Sequence, residues 1–160
     1  MCGILGYHGK QAIEIDENLQ LLAHRGPDHQ EIHQIQDVTL GHTRLAIVDL
    51  DRGQQPLQSP NGRYHLICNG EIYNHQAIRH HLPEYGFKTS TDSEVILALY
   101  QQYGHEAVAY LDGMFAFALY DAETDEMYLA RDPLGIKRLY SGWQDGLLFF
   151  ASAIKAVQHH

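Results

Sequence analysis

Short apolar runs separated by polar turns occupy most of the chain, and many of them alternate with the two-residue period of strands. These runs predict strands over residues 2–8, 31–35, 38–48, 64–68, 114–120, 126–130 and 147–151. The polar segment 121–125 predicts a hairpin between the two strands that flank it, and 53–62, which ends in Asn61-Gly62, predicts a polar loop. The dominant pattern is therefore that of a β-rich protein.

Helical spacing is confined to a few short segments. Ile15, Leu19, Leu22 and Ala23 predict a helix that ends before the turn Arg25-Gly26-Pro27-Asp28, where glycine permits positive φ and proline fixes φ. Further helices are predicted over 74–82, from a capping box of Thr91 and Glu94, near 106–111, and from a Ser152 cap to residue 157. Many short strands with few helices indicate one layered α+β domain over residues 1–160.

Composition narrows the class of protein. The chain has 160 residues, of which 44% are hydrophobic and 19% charged, as expected of an ordinary folded domain. Its formal charge of −9 argues against binding to nucleic acid or to an anionic membrane. No apolar run reaches the roughly 20 residues of a membrane span, and the N-terminus does not resemble a signal peptide. We therefore expect a cytoplasmic protein.

The metal-binding and redox residue types give weak signals. The two cysteines, Cys2 and Cys68, are expected to be free thiols because no export signal accompanies them. The 12 histidines show no zinc-type spacing, and scattered surface imidazoles are favoured over a metal site assembled in space. The pair His159-His160 is also consistent with the remnant of an expression tag.

Cys2 is a candidate nucleophile. Removal of Met1 would leave a thiol and an α-amine on one residue, and the ordinary pKa of that amine, about 7.7–8.0, suits a general base near neutral pH. The alternative is a small buried residue that happens to be second. Cys2 alone does not decide between them.

Other residue types that an acyl-transfer site needs are also present. Asn69 and Gly70 offer a side-chain amide and a backbone N–H at a predicted strand end, as an oxyanion hole requires, although a plain Asn-Gly turn is the alternative. Arg44 has a guanidinium that could hold an amino-acid carboxylate, and Glu71 and Asp92 could hold its ammonium. Each charge taken singly is better explained as an ordinary surface charge or, for Asp92, as part of a helix start.

Eight segments in order along the chain carry a family resemblance. They are Met1-Cys2-Gly3-Ile4, His24-Arg25-Gly26-Pro27-Asp28, Arg44-Leu45-Ala46-Ile47-Val48-Asp49, Gly53-Gln54-Gln55-Pro56, Asn69-Gly70-Glu71-Ile72-Tyr73-Asn74, Asp92-Ser93-Glu94-Val95-Ile96, Leu111-Asp112-Gly113-Met114-Phe115-Ala116-Phe117 and Arg131-Asp132-Pro133-Leu134-Gly135-Ile136-Lys137. With these segments the chain resembles the N-terminal glutaminase domain of glutamine-hydrolysing asparagine synthetases, which are class II, N-terminal-nucleophile amidotransferases.

The resemblance implies a fold and a role for each matched residue. The implied fold is a four-layer αββα sandwich of two antiparallel sheets, here expected to lack its last strands. The implied reaction hydrolyses L-glutamine to L-glutamate and ammonia through a thioester on one cysteine, with no metal or organic cofactor in this domain. The implied roles are nucleophile for Cys2, oxyanion hole for Asn69 and Gly70, carboxylate binding for Arg44 with the backbone of Ile47 and Val48 beside it, and ammonium binding for Glu71 and Asp92.

The chain departs from the family in two residues and in length. Ala153 and Arg138 stand where the family usually has Glu and Pro, outside the glutamine-binding set. The chain contains no ATP-binding synthetase domain, so ATP and Mg²⁺ would belong to a synthetase domain or subunit acting with it in cis or in trans. The alternatives are a catalytically silent glutamine-binding or assembly module, self-associating through an exposed sheet edge, and a histidine-based metal protein.

Overall fold

The computed structural model describes residues 1–10, 13–46 and 53–157. The strands are β1 Gly3–His8, β2 His29–Ile35, β3 Val38–Arg44, β4 Leu57–Gln58, β5 Tyr64–Ile72, β6 Gly113–Asp121, β7 Glu126–Arg131, β8 Tyr140–Gln144 and β9 Leu147–Ala151. The α-helices are α1 Asp16–Gln20, α2 His75–His81 and α3 Glu94–Tyr103. Short 3₁₀ segments lie at Ala23–Arg25, Pro83–Tyr85, Gly104–Tyr110 and Ile154–Ala156.

The strands form two antiparallel sheets. One sheet has the order β2-β3-β1-β9-β8 and the other has the order β4-β5-β6-β7. β1 is central in the first sheet, where its residues pair with β3 from Gly3 opposite Thr43 to His8 opposite Val38. In the second sheet β5 pairs along its whole length with β6, from Tyr64 opposite Asp121 to Ile72 opposite Gly113. The predicted α+β class and its two antiparallel sheets are confirmed.

Three groups of buried side chains define four layers. Alternate residues of the two sheets meet in a central core that includes Ile4, Leu40, Ile67, Tyr120 and Phe150. The outer face of the first sheet is covered by α1, and the outer face of the second is covered by α3. Because successive side chains of a strand point to opposite faces, each sheet carries apolar residues on both faces and needs a layer on each side.

Two strands were missing from the sequence prediction. β4 lies within the segment expected to be a loop, and only its two residues pair with β5. β8 forms a hairpin with β9 through Asp145 and Gly146, both with positive φ, and Asp-Gly is a signal for such a turn. The exposure of Trp143 on β8 explains why its apolar pattern is weak.

Two predicted helix caps are wrong, because the side chains bond to backbone amides outside the helix starts predicted for them. α3 begins after Ser93, and Glu94 accepts hydrogen bonds from the Lys88 and Thr89 amides, both at 2.8 Å, instead of closing a capping box with Thr91. Ser152 likewise caps no helix, since its Oγ accepts a hydrogen bond from the Ile4 amide at 3.0 Å.

Among the described residues, no helix combines the length and the hydropathy that a membrane-spanning helix needs.

Candidate active site

Cys2 lies immediately before β1, at the mouth of a cleft between the two sheets. The side chain is half-buried, and its Sγ lies 3.9 Å from the Leu45 carbonyl oxygen. The Cys2 carbonyl accepts a hydrogen bond of 3.1 Å from Arg25 Nε, which ties the start of the chain to the segment after α1. The residue predicted to be the nucleophile therefore lies at the start of a central strand.

The cleft has a volume of about 200 Å³ and collects most of the predicted site. Its wall includes the predicted residues Cys2, Arg44, Asn69, Gly70, Glu71 and Asp92. They come from the start of β1, the end of β3, the second half of β5 and the segment before α3. The remaining two predicted residues, Ile47 and Val48, lie outside the described residues. The strand predicted over residues 38–48 ends at Arg44 within the described part.

Arg44 is the last residue of β3, and the neighbouring turn holds it in place. The Asp28 amide donates to the Arg44 carbonyl at 3.1 Å, while the Asp28 carboxylate accepts from the Ala46 amide at 2.7 Å. Gly26 makes this docking possible, since a Cβ on it would lie 2.3 Å from the Thr43 carbonyl carbon. Its φ is −146°, so close approach, and not the expected positive φ, requires glycine at this position.

Asn69 and Gly70 lie inside β5 and not in the turn that the sequence also allowed. Asn69 is opposite Ala116 and Gly70 is opposite Phe115. Glycine is needed because a Cβ on Gly70 would lie 2.3 Å from the Met114 carbonyl oxygen. The strand predicted to end at residue 68 therefore continues to Ile72, and the two candidate oxyanion donors stand on a sheet and not on a loop.

The Asn69 side chain has an unused donor. Its exposure is only 1%, and Nδ2 has no hydrogen-bond partner among the described residues. An unpaired buried amide donor costs about 1–3 kcal/mol, so such a group in a cleft indicates a ligand contact. Because residues 67 and 69 share one face of β5, this side chain is on the face that meets the other sheet, the side on which Cys2 lies.

The Gly70 N–H points outward from the edge of β5 that lies opposite β6, beyond the two residues that pair with β4. The amides two residues before and after it point there too, since Cys68 N donates to Gln55 Oε1 and Ile72 N donates to Asp92 Oδ2, both at 2.6 Å. Amides two apart in a strand point the same way, so Gly70 N–H faces away from β6. Within the described part of the chain, no side chain or loop carbonyl is seen to accept from it.

The acidic residues differ in their surroundings. Asp92 is half-buried, and its Oδ2 accepts from the Ile72 amide, while no donor to its Oδ1 is seen among the described residues. Glu71 is exposed at the rim of the cleft, one residue beyond Gly70. Together they give the cleft a negative side, and Arg44 lies in the wall of the same cleft.

His42, Gln55 and Lys137 are among the cleft residues that were not predicted as site residues. His42 lies two residues before Arg44 on β3, so the period-2 pattern could have placed it on the same face. Burial lowers the pKa of His42 to about 4, and its Nε2 has no partner among the described residues. Its imidazole is therefore neutral near pH 7.

Lys137 is presented by a loop that Asp132 organises. The buried Asp132 carboxylate accepts hydrogen bonds from the Ile136 amide at 2.8 Å and the Lys137 amide at 3.0 Å. These and other backbone amides keep the pKa of Asp132 below its ordinary value, even though burial acts in the opposite direction. Backbone hydrogen bonds to Asp132 thus hold the loop that brings Lys137 to the wall of the cleft.

Cys68 differs chemically from Cys2. Its side chain is buried on the face of β5 that packs against α3, and burial, with the nearby Asp92 carboxylate, raises the pKa of the Cys68 thiol. A thiol that stays protonated is a poor nucleophile. Both cysteines are free, as expected from the sequence.

No group of three or more histidine, cysteine or acidic side chains converges to hold a metal ion in residues 1–10, 13–46 and 53–157. The pair His159-His160 lies outside the described residues. That the reaction needs no cofactor stays a prediction.

Two antiparallel sheets with a cysteine at the start of a central strand define an N-terminal-nucleophile amidotransferase fold. A solved structure of glutamine phosphoribosylpyrophosphate amidotransferase from B. subtilis, in complex with ADP and GMP, is similar with a TM-score of 0.78. It is 26% identical in sequence, and the match covers 97% of this chain and 42% of that chain. The chain belongs to the family described as the glutamine amidotransferase domain, whose profile matches residues 1–160.

The relatives in sequence are long synthetases. Glutamine-hydrolysing asparagine synthetase 3 of Arabidopsis thaliana is 45% identical, and the match covers 98% of this chain. Glutamine-hydrolysing asparagine synthetase B of Escherichia coli (strain K12) is 46% identical, also over 98% of this chain. The chain spans 28% of the first relative and 30% of the second. The resemblance inferred from the motifs is confirmed.

Proposed function

We propose that this chain hydrolyses L-glutamine to L-glutamate and ammonia through a thioester on Cys2. The observation that carries the proposal is a pair of donors in the cleft that have no hydrogen-bond partner among the described residues. Asn69 Nδ2 and the Gly70 amide stand on adjacent residues of β5, in the cleft that Cys2 also lines. Two donors beside a nucleophile meet the requirement of a tetrahedral intermediate, whose oxygen carries negative charge.

The α-amine of Cys2, free once Met1 is removed, takes the thiol proton. The sulfur adds to the carboxamide carbon of glutamine, and the carbonyl oxygen becomes an oxyanion held by Asn69 and Gly70. When the intermediate collapses, the C–N bond breaks and the ammonium of Cys2 returns its proton to the departing nitrogen, which leaves as ammonia. Water then adds to the thioester, the C–S bond breaks, and glutamate and the thiol are formed.

Substrate binding uses the charges on the two sides of the cleft. Arg44 would hold the α-carboxylate of glutamine through paired N–H donors. Asp92, through the oxygen that does not accept from Ile72, and Glu71 would receive the α-ammonium. The backbone of Ile47 and Val48 stays a prediction as a further contact. This arrangement selects a free α-amino acid, because a peptide-bound glutamine lacks both charges.

We further propose that the ammonia serves a synthetase domain or subunit. The matched relatives are glutamine-hydrolysing asparagine synthetases, and this chain spans under a third of their length. ATP and Mg²⁺ would belong to that partner, since the proposed hydrolysis of glutamine needs neither. The ammonia acceptor would likewise bind to that partner and not in the cleft beside Cys2.

Cys2 variants test the mechanism. Wild-type chain should release glutamate and ammonia from L-glutamine, whereas Cys2→Ala and Cys2→Ser should release neither. Glutamine should still raise the Tm of Cys2→Ala, since the binding charges remain. Intact mass should show that Met1 is absent from the active protein. Turnover by Cys2→Ala would overturn the mechanism, and stabilisation of the wild type by glutamine without any turnover would favour the silent binding module.

A further inference from the structure

The open edge of β5 shows how the candidate oxyanion hole is built. At one end the edge is covered by the short strand β4, and the Tyr64 amide donates to Ser59 Oγ at 2.9 Å. At the other end the Ile72 amide donates to Asp92. Between these ends the Cys68 amide is taken by Gln55, and the Gly70 amide faces the cleft. Among the described residues, the Gly70 amide is therefore the one in this row that has no partner.

The register between β4 and β5 shows which residues would pair with Cys68 and Gly70 if β4 were longer. Leu57 is opposite Leu66 and Gln58 is opposite His65. Continued in the same register, the chain would place Gln55 opposite Cys68 and Gly53 opposite Gly70. A strand in those positions would accept both amides through its own carbonyls, and the Gly70 amide would be consumed.

The chain avoids that outcome at Gln55. β4 begins only at Leu57, and the side chain of Gln55 replaces the backbone by reaching Cys68 N with Oε1 at 2.6 Å. Gln55 is buried, so this hydrogen bond is protected from water. Gly53 lies in the wall of the same cleft but belongs to no strand, and no strand of the described residues pairs with Gly70 on that side.

We propose that Gln55 is a positioning residue for the oxyanion hole. Its side chain holds the Cys68 amide as a strand partner would, and this orients Asn69 and Gly70. The inference rests on the proposed glutamine hydrolysis. Gln55 does not touch the substrate in this role. It fixes the peptide next to both donors, and small errors in donor position weaken an interaction made only in the transition state.

Kinetics with L-glutamine separate this role from simple packing. Gln55→Met keeps the size of the side chain but cannot accept the bond, so kcat should fall about 10- to 100-fold while KM stays within about threefold. Gln55→Glu restores an acceptor for Cys68 N but brings negative charge towards the oxyanion, so its kcat should lie between those of Gln55→Met and wild type. Gln58→Met is the matched control, because Gln58 is exposed on β4 and its side chain donates to the Gly62 carbonyl. It should keep the wild-type kcat.

Backbone amide NMR reports on the same role without turnover. In Gln55→Met the Cys68 amide should exchange with solvent at least about tenfold faster and the Gly70 resonance should shift, with the Cys68 protection recovered in Gln55→Glu. A wild-type kcat in Gln55→Met, or unchanged Cys68 and Gly70 amides, would overturn the role of Gln55. A wild-type chain that hydrolyses no glutamine would instead contradict the proposed function, and the NMR comparison distinguishes the two failures.

Discussion

Ile4 and Ser152 exchange two hydrogen bonds across the first sheet. The Ile4 amide donates to Ser152 Oγ at 3.0 Å, and the Ser152 amide donates to the Ile4 carbonyl at 2.8 Å. Both residues are buried. Ile4 is near the start of β1, two residues after Cys2, and Ser152 directly follows β9. The pair therefore fixes the strand end that carries the candidate nucleophile.

Removal of the Ser152 hydroxyl should weaken the fold near Cys2. In Ser152→Ala the Ile4 amide is left buried without an acceptor, which should lower the free energy of unfolding by about 1–3 kcal/mol. Urea denaturation of the wild type and of Ser152→Ala measures this difference in the free energy of unfolding. Ser141→Ala is the control, because Ser141 is exposed on β8 and its loss should change the free energy of unfolding by less than about 0.5 kcal/mol. Equal effects of the two substitutions would contradict the prediction.

The Asn69 side chain should act mainly on the chemical step. Asn69→Ala removes one of the two donors to the oxyanion, so kcat for glutamine hydrolysis should fall roughly 10²–10³-fold with little change in KM. In Asn69→Asp, kcat should fall at least as far, since the substitution places a carboxylate where negative charge develops. Steady-state glutamate release measures both. A large rise in KM with unchanged kcat would instead assign Asn69 to ground-state binding.

Arg44 should act mainly on binding. Arg44→Ala removes charged hydrogen bonds to the substrate carboxylate that are worth about 1.5–3 kcal/mol, so KM should rise roughly 10- to 100-fold. Arg44→Lys keeps the charge but not the paired geometry, so its KM should lie between those of wild type and Arg44→Ala. Tm must be measured alongside, because Arg44 is buried. The result that contradicts this role is an unchanged KM in folded Arg44→Ala.

His42 should make stability depend on pH on the acid side. The unfolded chain protonates histidine near pH 6.5, whereas burial delays protonation of folded His42 until about pH 4. Between these values the unfolded state binds more protons, so stability is lost as pH falls. The His42 contribution to that loss between pH 7 and pH 5 is about 2 kcal/mol.

Comparison with His42→Gln isolates this contribution, because the substitution removes the titrating ring while other histidines remain. The drop in the free energy of unfolding between pH 7 and pH 5 should be smaller in His42→Gln by that amount. NMR of the wild type should show a neutral His42 ring at pH 5. A ring that gains its proton above pH 6 would contradict the effect of burial.

Local pattern was enough for most elements but not for side chains that act across the fold. The strands at 147–151 and 126–130 were predicted within one residue, because each has its own apolar alternation. Thr91, Glu94 and Ser152 were predicted as caps because capping depends on near neighbours in sequence. In the structure Glu94 accepts from amides in the loop before the helix, and Ser152 accepts from the Ile4 amide, a distant partner that leaves no local pattern.

By itself, the sequence determined which chemical groups the chain carries in recognisable segments. They are the Cys2 thiol, the Asn69-Gly70 pair, the Arg44 guanidinium and the carboxylates of Glu71 and Asp92. Only the tertiary structure decided how they are used. It placed Asn69 and Gly70 within a strand, left the Gly70 amide on an open edge, and brought Gln55 and His42 into the cleft. The physical reason is that hydrogen-bond direction and cross-strand register depend on partners far away in sequence, and the pairing of β4 with β5 ends at Leu57 and Leu66, before it reaches Gly70.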